Sequence, residues 1–117
     1  VDGPRKRSGG QGKKPETKIQ EDIITMLQGK GWFCMVTVGN MYQSGFPDIF
    51  ACHTRFGHRW IEVKRADGNS RLEASQMENF PKLCAHGSGV WILTAATEHE
   101  YRKLVSAPCN WHTFIKW

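Results

Sequence analysis

Gly45-Phe46-Pro47-Asp48-Ile49-Phe50-Ala51-Cys52-His53, Thr54-Arg55-Phe56-Gly57 and His58-Arg59-Trp60-Ile61-Glu62-Val63-Lys64 read, in that order, as a strand, a tight connection and a second strand. Apolar and aromatic residues fill both arms, and Gly57 closes the connection. Folding this hairpin about the middle of the connection sets Asp48 opposite Val63 or Lys64, within one residue of register. Side chains alternate along a strand, so Glu62 and Lys64 share a face. Two carboxylates and one ammonium therefore converge at the open end of the hairpin.

That set suits a divalent cation held beside a phosphate. Hard cations such as Mg²⁺ take oxygen ligands, usually one or two carboxylates with waters and substrate phosphate. Asp48 and Glu62 supply the carboxylates, and the backbone carbonyl of Val63 between Glu62 and Lys64 supplies a third oxygen. Lys64 is placed to hold a water or to offset charge growing on a phosphate. A plainer reading stays open, with Asp48 capping a loop and Glu62–Lys64 forming a surface pair. Against it, Trp60-Ile61-Glu62-Val63 is apolar enough for a buried central strand, where an unpaired glutamate is costly.

The 117 residues, 39% of them hydrophobic, are enough for one soluble domain with one modest core. No apolar run is long enough to span a membrane and no signal peptide is evident, so a cytoplasmic protein is expected. Net charge is +5, and residues 1–14 carry +4 of it through Arg5, Lys6, Arg7, Lys13 and Lys14 against Asp2. That segment is nearly free of apolar side chains. It is expected to be a disordered basic tail and a candidate nucleic-acid arm, ahead of a single domain over 15–117. The four cysteines, at 34, 52, 84 and 109, show no C-x-x-C spacing. Cys52, His53 and His58 flank the turn and form a remote zinc reading; free thiols are the expectation.

The rest of the chain supplies the frame. Residues 16–30 read as a helix, with Ile19, Ile23 and Leu27 four apart, Pro15 at its start and Gly29 and Gly31 at its end. Glu16 and Gln20 lie on or beside its apolar stripe, whereas Glu21 stands roughly 200° around the wheel from Ile23. Trp32–Val38 reads as a first strand. It is followed by a polar loop containing Asn40, Tyr42, Gln43 and Ser44. After Lys64, Arg65 opens a turn-rich loop and is a candidate phosphate contact. A second helix is expected from Leu72 or Glu73 to Ala85, kinked or split near Asn79 by Pro81. Gln76 falls on that helix's apolar stripe, so it needs a partner, and the hairpin's open end offers one. Val90–Thr94 is a strand covered on both faces. Thr97–Val105 is a short third helix capped by Thr97, and Trp111–Ile115 is a possible edge strand. The sum is an α/β fold with a small mixed central sheet flanked by helices.

With these residues placed, the chain resembles the PD-(D/E)xK nuclease superfamily. Within it, the likeness is to the virus-type replication-repair nuclease (VRR-NUC) group, relatives of Holliday-junction resolvases. Gly45-Phe46-Pro47-Asp48, Ile61-Glu62-Val63-Lys64-Arg65, Gln76 and Glu16-Thr17-Lys18-Ile19-Gln20 carry the resemblance. It implies a restriction-endonuclease-like core and an endonuclease of DNA, on branched or junction DNA in replication, repair or recombination. It implies that Asp48 and Glu62 bind Mg²⁺ or Mn²⁺, that Lys64 positions the attacking water, and that Glu16, Gln76 and Gln20 support the site. Gln20 stands where the group often has a second acid. A homodimer with no small-molecule cofactor is also implied, and a phage-encoded or nucleoid-associated origin fits. The alternative is an inactive DNA-binding or assembly module on the same fold. Residues 97–117 have no counterpart, and Trp111, Phe114 and Trp117 are expected to pack on the sheet, with a dimer face as the alternative.

Overall fold

The computed structural model describes residues 15–37, 45–67, 71–106 and 109–111. The basic segment 1–14, the loop residues Asn40, Tyr42, Gln43 and Ser44, and Phe114 and Trp117 lie outside them.

Helix α1 spans Pro15–Gly29. Ile23 and Leu27 are fully buried, with Ile19 packed beside them, as the four-residue spacing requires. Gly31, at φ 92°, stops the helix. Its N–H donates to the Gln28 carbonyl at 3.2 Å, and that of Trp32 donates to Leu27 at 3.0 Å. This paired closure needs a left-handed residue, which glycine adopts at least cost. It also turns Trp32 into the core, where it stacks on Phe56 at 5.9 Å. Strand β1 accordingly begins one residue later than expected, as Phe33–Val36.

Strands β2 (Ile49–His53) and β3 (Gly57–Val63) form the hairpin, with Gly57 at φ 78°. Strand β4 is Val90–Leu93, buried throughout. The sheet order is β1-β2-β3-β4. The first two pairings are antiparallel and the last is parallel, with Ile49 opposite Ile61 and Glu62 beside Ile92. Parallel β3 and β4 need a crossover, and helix α2 (Ala74–Ala85) lies within it.

Two cores result. Ile49, Ala51, Ile61, Val63, Trp91 and Leu93 face α1 and Leu104. On the other face, α2 sets Phe80 against Val90 and Ile92, with Trp60, Leu83 and Cys84 around them. Because α2 lies over β3 and β4, Phe33 and Met35 of β1 remain 62% and 55% exposed.

The expected break at Pro81 does not occur; α2 runs unbroken through it. Proline forfeits one bond, to the carbonyl four residues back. That residue is Met77, on the helix's exposed side, where water can replace the lost donor. Phe80, Leu83 and Cys84 anchor the helix across this point. Gly87, at φ 92°, ends α2 as Gly31 ends α1, with Ser88 N–H donating to Leu83 at 2.8 Å.

Helix α3 is Glu98–Ser106. Thr97 caps it, its Oγ1 accepting from Glu100 N–H at 3.2 Å. Glu100 is buried and accepts from Thr94 N–H at 2.9 Å while pairing with Lys103 at 2.6 Å. Its carboxyl titrates below the usual range: burial opposes this, but Lys103 and the Thr94 donors prevail. Trp111 packs on the α2 core and donates its indole N–H to Cys84 Sγ at 3.0 Å. It stands outside the four strands, and the remainder of the expected edge strand, 112–115, lies outside the described residues. Among the described residues no helix is long and apolar enough to cross a membrane.

Candidate active site

Asp48 is fixed from three sides. The preceding turn leans on α2: a Cβ on Gly45, at φ 87°, would meet Asn79 Nδ2 at 2.5 Å and the Ser75 carbonyl at 2.6 Å. Pro47 is fully buried. Thr37, after β1, donates its N–H to the Asp48 carbonyl at 2.8 Å and its hydroxyl to the Pro47 carbonyl at 2.7 Å. From the other side, Val63 N–H donates to Asp48 Oδ2 at 2.9 Å. Gly45→Ala is therefore expected to destabilise the protein by about 1–3 kcal/mol through strain and close approach, visible as a lowered melting temperature.

The β2–β3 register, continued by one step from Ile49 and Ile61, sets Asp48 opposite Glu62. This falls within the tolerance of the expected pairing with Val63 or Lys64. In a strand, the N–H and C=O of one residue point to the same edge. The Val63 carbonyl thus faces the same edge as the N–H that holds Asp48.

Glu62 is buried, and its two oxygens differ. Oε2 accepts from Gln76 Nε2 at 2.7 Å and pairs with Lys64 Nζ at 3.3 Å. Oε1 is buried with no hydrogen-bond partner among the described residues. Burial above all, with the neighbouring Asp48 charge, pushes the Glu62 carboxyl up to about 8, against the pull of Lys64 and Gln76. Asp48 is also raised, chiefly by burial; Val63 N–H and Lys64 oppose this, and the carboxylates of Glu16 and Glu73 add to it.

Lys64 is buried as well, and its Nζ donates to Gln76 Oε1 at 3.3 Å. Gln76 is the junction of the group. Its Oε1 also accepts from Glu73 N–H at 2.9 Å, so the amide has one orientation, oxygen toward donors and nitrogen toward Glu62. The inward-facing glutamine expected from the apolar stripe of α2 thus meets the hairpin's open end. Glu16 is half-buried on the first turn of α1, and its charge reaches Asp48. Gln20 is half-buried, and no hydrogen bond among the described residues joins it to these four. Arg65 is half-buried, its Nε 3.7 Å from Asp67 Oδ2. Arg5, Lys6, Arg7, Lys13 and Lys14 lie outside the described residues.

The remote zinc reading fails here. Cys52 stands opposite His58, while His53 alternates to the other face. His53 Nδ1 accepts from Arg55 N–H at 3.0 Å, and Nε2 lies 3.2 Å from the Lys30 carbonyl, so neither ring nitrogen is left for a metal. Among the described residues no three His, Cys, Asp or Glu side chains cluster to hold an ion, and the four cysteines are free. Asp48 and Glu62 are thus a two-carboxylate set, the number usual for Mg²⁺ that keeps waters and substrate oxygens.

Two contributors escape a reading of the sequence. Glu73 has a visible signal, its three-residue spacing from Gln76, which is that of a capping pair. Thr37 has none, because its role depends on the β1–β2 pairing.

No family model matches the sequence, and no curated protein matches it. In three dimensions the chain is similar to a VRR_NUC domain, with TM-score 0.64 and 17% identity over 77% of this chain and 95% of that one. It is also similar to Hjc, a Holliday junction resolvase from the archaeal hyperthermophile Archaeoglobus fulgidus. There the TM-score is 0.54 and identity 22%, over 68% of this chain and 67% of that one. The chain shares the fold of these two proteins, a mixed four-stranded α/β sheet with three helices. In this fold the mixed four-stranded sheet carries Asp48, Glu62 and Lys64 at one end, with Gln76 delivered by the crossover helix. The likeness is one of fold, over 77% and 68% of this chain, at identities too low for sequence comparison to register.

Proposed function

We propose that this protein is a metal-dependent endonuclease that hydrolyses DNA phosphodiester bonds, selecting branched or junction DNA in replication, repair or recombination. The observation that carries this reading is the state of Glu62. It is a buried carboxyl with one oxygen unpartnered among the described residues, beside a second raised carboxyl and a buried lysine. Such a set is costly as it stands. It fits Mg²⁺ or Mn²⁺ held by Asp48, Glu62 and the Val63 carbonyl. A bound cation supplies an acidified water and a counter-charge for the phosphate.

The chain's own residues do the rest. Lys64 holds the attacking water and offsets charge on the phosphate oxygens. Gln76 fixes both Lys64 and Glu62, so neither turns when substrate enters. Glu16 raises the negative potential at Asp48 from the α1 side, and Gln20 adds a neutral polar group one turn along. The basic segment 1–14 and Arg65 contribute sequence-independent phosphate attraction. A homodimer acting on cytoplasmic, nucleoid or phage DNA completes the proposal; sedimentation is expected to give one species at twice 13.3 kDa.

The test is cleavage of labelled linear duplex, single strand, flap and four-way junction in Mg²⁺, Mn²⁺ and EDTA. Cutting in metal alone, fastest on a branched member, is expected. No cutting of any member, with tight binding to one, would establish the inactive binding module instead. In the same assay Glu16→Gln is expected to slow cutting about ten- to a hundredfold. Exposed Glu21→Gln should change it less than twofold. The reverse order would show that the wrong face of α1 had been assigned.

A further inference from the structure

We propose that the groove between Phe46 and the second half of α2 receives an unpaired nucleotide beside the cleaved phosphate. The choice of ligand rests on the nuclease reading above.

Phe46 lies two residues before Asp48, about 7 Å along an extended chain, and the residue is 43% exposed. It is not a loose side chain: buried Pro47 follows it, and Gly45 before it is packed against Ser75 and Asn79. A large aromatic side chain held open to solvent next to a catalytic centre calls for an occupant. The groove it borders is open to solvent, has a volume of about 260 Å³ and is lined by Phe46, Asn79, Lys82, Leu83, His86 and Ser88. Phe46 and Leu83 give an apolar wall; an amide, an ammonium, an imidazole and a hydroxyl give the rim. The volume is just below the range of drug-sized pockets, which suits one planar ring with its phosphate left outside.

The rim offers a nucleotide an exposed ammonium that a phosphate can draw from its present partner. Lys82 pairs with Glu78 at 3.2 Å on the exposed surface, and such pairs hold weakly. His86 anchors Nδ1–H on the Lys82 carbonyl at 2.7 Å, which keeps its ring at the rim. Rings continue beyond the groove. Phe46 lies 6.1 Å from Trp60, Trp60 5.0 Å from Phe50, and Phe50 5.9 Å from His58. They lead along the sheet face that α2 leaves open. Aromatic surfaces next to cations are how proteins take up unstacked bases, and a base inside a duplex is not available to them. The groove thus selects DNA with unpaired nucleotides at the cleavage point. A second copy of this chain is the competing occupant. The polar rim of Asn79, Lys82, His86 and Ser88 disfavours it, because an apolar protein face would have to desolvate that rim.

The test is binding in EDTA, where cleavage is off, of a labelled single strand and a blunt duplex by fluorescence anisotropy. Phe46→Leu is expected to weaken single-strand binding about tenfold and duplex binding less than twofold, at unchanged melting temperature. Phe46→Trp should restore the single-strand affinity, and Lys82→Gln should lower the salt slope by about one. Failure of the single strand to bind wild type, or equal losses on both ligands, would overturn the inference. So would sedimentation showing that Phe46→Leu turns a dimer into a monomer without changing single-strand affinity. If metal-dependent cutting is found but Phe46→Leu binds as wild type, the groove assignment falls alone. If Phe46 governs binding but no substrate is ever cut, the nuclease reading falls alone.

Discussion

Lys64→Met is expected to slow DNA cleavage about a hundred- to a thousandfold, the usual cost of removing one preorganised charge from a transition state. The melting temperature should stay within a few degrees. Lys64 is buried and gives its ammonium to Glu62 Oε2 and Gln76 Oε1, both at 3.3 Å. Methionine fills nearly the same volume, and replacing a buried ion-pair member by a matching apolar chain is tolerated when the partner can neutralise. Glu62 can do so by taking a proton, since its carboxyl already titrates near 8. The variant is therefore expected to keep its fold and to lose both the proposed water-holding group and the charge that favours ionisation of Glu62. Lys18→Met is the control, because Lys18 is exposed and pairs with Asp22 on α1, away from the site. Wild-type rates from Lys64→Met under single-turnover conditions would remove Lys64 from the mechanism.

Glu62→Gln carries the second large effect, and its sign is set by the carboxyl's environment. An unfolded glutamate titrates near 4.5, and this one near 8 when folded. The folded state thus binds the proton more tightly. Metal-free protein is expected to lose stability as pH rises from about 4.5 to about 8, by on the order of a few kcal/mol. Asp48 is shifted in the same direction and adds to the loss. Glu100 is shifted the opposite way and weakens the fold only toward acid, so melts between pH 5.5 and 9 in EDTA isolate the effect. Glu62→Gln cannot ionise and should melt above wild type at pH 8.5. Adding Mg²⁺ should raise the wild-type melting temperature there and leave that of Glu62→Gln unmoved. Parallel pH profiles for the two proteins would mean that Glu62 is already ionised and well paired.

Much of this site is legible in the sequence, because its elements lie close along the chain. A hairpin of known length fixes, within one residue of register, which residues meet at its open end, so the convergence of Asp48, Glu62 and Lys64 follows from spacing. Gln76 follows from a polar residue falling on an apolar helical stripe. Harder to read is anything that depends on contacts between distant elements. Thr37 matters because β1 lies beside β2, and Glu73 because α2 begins over the end of β3. Pro81 misleads for a related reason. Its local cost is real, but anchoring of α2 on the β4 side of the sheet outweighs one lost bond on an exposed turn. Trp32 has the composition of a strand residue, yet the Gly31 closure turns it inward ahead of β1. The shared cause is tertiary packing overriding local preference.

The central claim is that buried Glu62 and half-buried Asp48 form a cation site, and calorimetric titration of the full chain with Mn²⁺ near pH 7 tests it most directly. Run in two buffers of different ionisation enthalpy, it reports both binding and proton release. Binding with release of close to one proton is predicted, because Glu62 must ionise to take the ion, together with loss of that heat and that proton in Glu62→Gln. Absence of binding, or identical isotherms for wild type and Glu62→Gln, would contradict the account.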